Sequence, residues 1–111
     1  MHTLTALKAA NKSLGHHWFS KDTMRFFGCK IVHFHGMDDG AFFITSEQYN
    51  DDAARLFTLR CATEDGKVET LGSFQGHSTL NAAKAALRQA LDFHRTCQKL
   101  DNELAQELAR N

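Results

Sequence analysis

The C-terminal third of the chain sets the strongest limit on the fold, because the residues from Thr79 onward include neither glycine nor proline. Apolar residues recur there mostly at three- and four-residue steps, which is the spacing of one helix face. A helix of about 30 residues would be roughly 45 Å long, whereas a domain of this size has a radius of gyration of about 13 Å. Either the helix breaks or its end projects. The apolar stripe comprises Leu80, Ala83, Leu87, Ala90, Leu91, Cys97, Leu100, Leu104 and Leu108.

The end of this stripe predicts a contact with a partner. Leu100, Leu104 and Leu108 would be exposed on a projecting helix, and a contiguous exposed apolar row marks an interaction surface. The first interpretation is a homodimer formed through these three leucines. The alternative is packing against a helix near the N-terminus of the same chain.

Two further helices are predicted ahead of the central region. Thr3 is placed to cap the first, and Gly15 suits the residue after its last turn. Ser20 is placed to cap a short helix over residues 21–27, which Gly28 would end. The first helix needs a packing surface, since an isolated helix of this length is marginal in water. Its apolar face consists of Leu4, Leu7, Ala10 and Leu14.

A two-residue period in the middle of the chain predicts four strands. Turn residues cluster at 36–40 and 64–67, and Asp65-Gly66 supplies the positive φ angles of a tight hairpin. The order of elements predicts an α+β fold in one domain over residues 1–111. It would be a four-stranded antiparallel meander, with an N-terminal helix, a short second helix and a long C-terminal helix packed on one face. The predicted strands cover residues 29–35, 41–47, 55–63 and 68–75.

Charge and cysteine content limit the function classes. Thirteen Lys and Arg balance thirteen Asp and Glu, which excludes a strongly cationic nucleic-acid binder but leaves room for a local basic patch. No apolar run reaches the length of a membrane helix, so no membrane partner is expected. Three widely spaced cysteines without a secretion signal indicate reduced thiols in the cytoplasm.

One candidate binding surface lies around residues 16–35, where cations, histidines and aromatic residues are concentrated. Trp18 is either core or an interaction anchor, because tryptophan is enriched in binding hot spots. Asp22 either caps the short helix or pairs with Arg25 on its surface. His33 and His35 share one strand face, and together with a histidine at 16 or 17 they would offer a weak zinc site. The candidate residues are Trp18, Lys21, Arg25, Lys30, His33 and His35.

The second candidate surface is acidic. Asp38-Asp39 and Glu64-Asp65 both fall in predicted turns, where the simplest role is turn chemistry and solubility. The functional alternative is a negative surface that docks on a basic groove in competition with nucleic acid. That alternative requires the two turns to lie on the same side of the sheet.

Several segments carry a resemblance to a known group of proteins. They are His17–Phe27 (H-W-F-S-K-D-T-M-R-F-F), Phe43–Gln48 (F-I-T-S-E-Q), Phe57–Arg60 (F-T-L-R) and Gly72–Gln75 (G-S-F-Q). The chain resembles a family of small uncharacterised proteins encoded by bacterial plasmids and phages, whose members tend to contain H-W-F-S-x-D-T-M-R-F-F. The resemblance implies an accessory protein of a mobile element, a kind of product that often binds and blocks host proteins.

The expected function is therefore non-enzymatic binding. The sequence contains no HExxH motif, nucleophile elbow or glycine-rich phosphate loop, so no catalytic residue and no cofactor are predicted. With the resemblance, this favours a phage or plasmid protein that inhibits a host protein, such as a component of a defence system, in the manner of an anti-CRISPR protein. The alternative is a small nucleic-acid-binding protein that uses the basic and aromatic surface of residues 16–35. A metal-dependent enzyme that uses the histidines is the third hypothesis.

Overall fold

The structure, a computed structural model, describes residues 3–110, so Met1, His2 and Asn111 of the predicted domain lie outside the described residues. The α+β class and the order of elements are confirmed: an N-terminal helix, a short helix, a four-stranded antiparallel sheet and a long C-terminal helix. The elements are α1 (Leu4–Leu14), α2 (Lys21–Arg25) followed by a 3₁₀ turn (Phe26–Gly28), β1 (Lys30–Met37), β2 (Gly40–Glu47), β3 (Leu56–Thr63), β4 (Val68–Leu71) and α3 (Leu80–Arg110).

The sheet is covered on both faces, which corrects the expectation that all helices pack on one. All eight residues of the central strand β2 are buried. Successive side chains of a strand point to opposite faces, so a strand that is apolar on both sides must be enclosed on both sides. On one face, Phe42 and Ile44 contact α3; on the other, Ala41 and Phe43 contact α1 and the segment that follows it.

The face under α1 is largely aromatic. Phe43 is fully buried, and the rings of Trp18, Phe19 and Phe34 lie 5.8, 6.1 and 6.2 Å from its ring centre. Trp18 and Phe19 are therefore partly buried core residues. A bulge between Ile31 and His33 in β1 puts Ile31 and Phe34 into this same cluster.

Asn11 attaches α1 to the sheet. Its buried side chain donates a hydrogen bond to the Gly66 carbonyl (2.8 Å) and accepts one from the Trp18 backbone N–H (2.8 Å). The predicted hairpin at Asp65-Gly66 is present, with Gly66 at φ 97°. A β-carbon at Gly66 would lie 2.5 Å from the Asn11 nitrogen and 2.7 Å from the Ala10 carbonyl carbon. Glycine at this turn is what lets α1 approach the sheet so closely.

Two predicted elements are shorter in the structure. The helix predicted over 21–27 ends at Arg25, because Phe27 adopts a left-handed backbone conformation (φ 54°, ψ 25°). The strand predicted over 68–75 ends at Leu71, where Gly72 takes φ 76° and turns the chain back toward β3. The backbone N–H of Gln75 then donates to the Thr58 hydroxyl, at 2.8 Å.

The long helix α3 is unbroken, and its end projects. Ala83, Leu87 and Leu91 are buried against the sheet, whereas every described residue from 98 to 110 is exposed. The alternative that its end packs against α1 is wrong, because α1 lies on the opposite face of the sheet. Within residues 3–110 no helix has the length and apolar character needed to cross a membrane.

Gly66→Ala tests the close approach of α1. We expect a loss of about 2–4 kcal/mol in the free energy of unfolding, from left-handed strain and from overlap with backbone atoms. Gly72→Ala is the matched control, since Gly72 also has a positive φ but has no atom within 4 Å of its β-position; it should lose only about 1 kcal/mol. Urea unfolding measures both, and equal losses would contradict the role assigned to Gly66.

Candidate functional site

The predicted basic surface is divided by the sheet. Lys21 and Arg25 are exposed on α2, where Arg25 lies 3.9 Å from Asp22 in the first helical turn. Both side chains of that pair are largely exposed, so the pair contributes little to stability. His33 and His35 lie on the other face of the sheet, opposite Ile44 and Phe42.

The histidines do not form the weak zinc site that their spacing suggested. Burial lowers the pKa of His33, and the charges of Lys84 and His35 lower it further, as expected for an imidazole in a cationic surrounding. His16 and His17 follow α1 on the opposite face. Among residues 3–110, no group of three or more His, Cys, Asp or Glu residues is arranged to hold a metal ion.

The two acidic turns lie at the same end of the sheet, but they contact helices on opposite faces, Asp39 meeting α3 and Gly66 meeting α1. The register pairs Met37 with Gly40 and Gly40 with Thr63, so the turns at 38–39 and 64–67 are neighbours. Asp39 also contacts α3: its Oδ2 lies 3.3 Å from the His94 Nε2 and accepts from the Gln98 amide at 3.3 Å. The Asp65 carboxylate accepts a hydrogen bond from Thr63. Part of this acidic surface therefore serves the fold.

The most connected polar site is one that sequence reasoning missed. Glu47 at the end of β2 and Arg60 in β3 form an ion pair of 2.8 Å on the α1 face of the sheet, and their side chains are 1% and 11% exposed. The Glu47 carboxylate also accepts from the hydroxyls of Thr45 (2.5 Å) and Thr58 (3.0 Å). Arg60 donates to Thr45 (3.2 Å) and to Thr70 (2.6 Å). A buried charge pair is stable only when its remaining donors and acceptors are satisfied in this way.

Two aromatic rings enclose the guanidinium of Arg60. The Arg60 Cζ lies 5.4 Å from the ring centre of Trp18 and 5.5 Å from that of Phe74. The ring faces attract the cation and keep water from it. Trp18 is therefore a candidate residue that the structure places at this site, whereas Lys21, Arg25 and Lys30 remain exposed outside the ion pair.

A second arginine fixes the turn after α2. Arg55 donates to the Gly28 carbonyl (2.6 Å), to the Ser46 hydroxyl (2.7 Å) and to the Ser46 carbonyl (3.0 Å). The Gln48 backbone N–H donates to the Phe27 carbonyl at 2.7 Å. These bonds hold Phe27 in its left-handed conformation, which is strained for an aromatic residue.

Phe27 in turn organises an exposed aromatic surface. Its ring centre lies 5.7 Å from that of Phe26, 6.0 Å from that of Tyr49 and 5.6 Å from that of Phe74. Phe27 is half-buried, while Phe26, Tyr49 and Phe74 are 72%, 73% and 46% exposed. We call these four residues the aromatic patch.

A cavity of about 190 Å³ lies between the aromatic patch and the ion pair, and Cys29 is one of its lining residues. Burial raises the pKa of the Cys29 thiol, and the negative charge of Glu47 raises it further, against smaller opposing effects of Arg60, Thr45 and Arg55. A thiol held in its protonated form is a weak nucleophile. The cavity therefore offers apolar contact and a buried charge pair.

All four segments that carry the resemblance meet at this site. The first supplies Trp18 and Phe27, the second Glu47, the third Arg60 and the fourth Phe74. The available signal was a single charged residue within each of two otherwise uncharged strands. Pairing the two required the register, which sets Thr45 opposite Thr58.

Removing one partner of the ion pair should be more harmful than removing both. We expect Glu47→Leu or Arg60→Met alone to lower the free energy of unfolding by about 3–5 kcal/mol, because each leaves an unpaired buried charge. The double variant should lose clearly less than the sum of the two. Urea unfolding of the four proteins gives the coupling, and additive losses would contradict this account of the site.

The Cys29 thiol should react slowly in the folded protein. Alkylation at mildly alkaline pH, followed by mass spectrometry, should label Cys29 about tenfold or more slowly than in the urea-unfolded chain. The folded state binds this proton more tightly than the unfolded chain, so stability should fall as pH rises past the ordinary pKa of a cysteine thiol. Equal labelling rates in the two states would contradict the burial of Cys29.

No curated protein and no solved structure matches the chain. A family model does match it, over residues 3–88. The matched region includes both helices of the α1 face, the whole sheet, the ion pair, the aromatic patch and the first part of α3. Because the match spans most of the sequence, this chain belongs to DUF7447, a family of unknown function.

Proposed function

We propose that this protein is a non-enzymatic binding module that docks on a partner protein through the aromatic patch. The observation that carries the proposal is the exposure of Phe26, Tyr49 and Phe74 around the half-buried ring of Phe27. Large aromatic side chains are costly to leave in water, and aromatic residues dominate the energy of protein interfaces.

The patch is prepared for binding before a partner arrives. Phe27 is fixed through its carbonyl by Gln48 and through the neighbouring Gly28 carbonyl by Arg55. Phe74 is held against the guanidinium of Arg60. A surface that is already ordered loses less conformational entropy on association, which strengthens binding without added contacts.

Charge at the rim of the patch favours a protein partner over nucleic acid. A groove lined by Phe26, Phe27 and Tyr49 has one acid and one base at its edge, Asp22 and Arg25. The loop that carries Tyr49 continues into Asp51 and Asp52. Nucleic-acid binding draws most of its affinity from cations on phosphates, and carboxylates at the rim oppose it.

The proposal is non-enzymatic because the buried charged groups beside the cavity already have hydrogen-bond partners within the protein. Glu47 and Arg60 are bonded to each other and to the hydroxyls of Thr45, Thr58 and Thr70. A catalytic acid or base needs a free position directed at a substrate. The groups facing the cavity use their hydrogen bonds to hold the sheet together.

In the proposal, the partner is a host protein that is inhibited when the patch covers part of its surface. Support comes from the resemblance to plasmid- and phage-encoded proteins, since Phe26 and Phe27 end the first segment that carries it and Phe74 belongs to the fourth. A protein of a mobile element that binds a host defence component would need such a preformed surface and no chemistry of its own.

Site-specific cross-linking tests the proposal. A photoreactive phenylalanine analogue at position 26 should cross-link one host protein reproducibly in bacterial cells, whereas the same analogue at the exposed position 14, outside the aromatic patch, should not. Phe26→Ala with Tyr49→Ala should weaken binding to that purified protein by about 30-fold or more. Leu14→Ala, at an exposed apolar residue outside the aromatic patch, is the control and should leave the affinity unchanged.

Three outcomes separate the alternatives. Loss of the purified partner's activity on addition of the wild type, and not of the double variant, supports inhibition. Recovery of nucleic acid at position 26, with a gel shift that weakens steeply with salt, would replace the proposal with the nucleic-acid alternative. Equal binding of the partner by the wild type and the double variant would show that the aromatic patch is not part of the interface.

A further inference from the structure

The projecting part of α3 carries an apolar row that nothing in the described chain covers. Phe93, Leu100, Leu104 and Leu108 are 72%, 58%, 56% and 67% exposed, and Cys97 lies between them. At roughly 100° per residue, these five positions fall on one side of the helix. We call them the α3 row.

The α3 row continues one edge of the surface that α3 packs against the sheet. Ala83, Leu87 and Leu91 face the sheet, the row is rotated from them by about a quarter turn, and the partly buried Ala86 and Ala90 lie in line with the row. The sheet does not cover the residues of the row, which are exposed, so a second molecule has access to them. The match to the family ends at residue 88, before the row begins.

The charges beside the row show a reversal symmetry about residue 101. In chain order they are Asp92, Arg95, Lys99, Glu103, Glu107 and Arg110. Positions at equal distances on either side of residue 101 carry opposite charges: 92 and 110, 95 and 107, and 99 and 103. At roughly 100° per residue, all six lie on the same flank of the row.

An antiparallel pair of identical helices brings these charges together. When two copies cross with residue 101 opposite residue 101, each of the six side chains faces one of opposite sign on the other copy. Leu100 then falls between Leu100 and Leu104 of the other copy, and Leu104 falls between Leu100 and Cys97 of the other copy, as knobs fit into holes. In a parallel two-fold pair, this flank would face the opposite flank of the other helix, so the six charges would not pair with one another. The remaining charge, Asp101, would meet its own copy on the opposite flank.

We propose that α3 forms an antiparallel homodimer through the α3 row, with its two-fold axis beside residue 101. The row from 93 to 108 is about 24 Å long, so the contact is smaller than the ~800 Å² per partner of a standard interface. The dimer is accordingly reversible and depends on concentration. It is independent of the aromatic patch, which lies on the other face of the sheet.

Sedimentation of the full chain tests the dimer. The wild type should approach twice its 12.5 kDa mass as concentration rises, and Leu104→Asp should remain monomeric. Leu104 is exposed, so circular dichroism of the variant should show an intact fold. A wild type that stays monomeric at its solubility limit, or a dimer unaffected by Leu104→Asp, would overturn the proposal.

Charge exchange tests the antiparallel direction. At low salt, where surface charges are least screened, Lys99→Glu alone should weaken the dimer because residue 99 then faces Glu103 of the other copy. Adding Glu103→Lys in the same chain should restore it. Failure of the second substitution to rescue the first would overturn the antiparallel arrangement.

Cross-linking gives an independent measure of the axis. Asp101→Cys places a thiol beside its own copy and should form a disulfide-linked dimer under mild oxidation. Asn102→Cys is the control, since residue 102 lies on the side of the helix away from the row, and it should remain monomeric on a non-reducing gel. Equal linking by both variants, or efficient linking of the wild type through Cys97, would contradict an antiparallel contact centred at 101.

Discussion

The pairing of Glu47 with Arg60 is the interaction on which the α1 face of the molecule depends. Each charge would be costly to bury alone, and each is acceptable because the other charge and two threonine hydroxyls complete its hydrogen bonds. The pair joins neighbouring strands and gives Trp18 and Phe74 a cation to pack against. Through Phe74 it also supports Phe27, and hence the exposed rings around it.

The central strand explains why the molecule has three layers. In β2, Phe42 and Ile44 are directed to one side of the sheet and Ala41 and Phe43 to the other. One long amphipathic helix can cover only one side. The N-terminal helix and the segment around Trp18 therefore cover the second side, and Asn11 and Gly66 set how closely they approach.

Local patterns in the sequence were sufficient for the elements but not for the site. The Asp65-Gly66 turn, the strands and the helical stripe of α3 each follow from residues close together in the chain. The ion pair joins residues thirteen apart, on strands separated by a loop over 48–55 whose length sets the register. The left-handed conformation of Phe27 could not be predicted from the sequence either. Gly28 was the expected end of the helix, whereas the helix ends earlier in a turn that the distant Arg55 stabilises.

The continuity of α3 has a mechanical consequence. One uninterrupted helix runs from the core of the domain into the projecting end, with no glycine or proline at which it could hinge. Two copies joined through α3 would be held at a fixed spacing, so that their two aromatic patches would bind two sites on one target at once. The second contact would then form at high effective concentration, and a modest affinity at each site would give a long-lived complex.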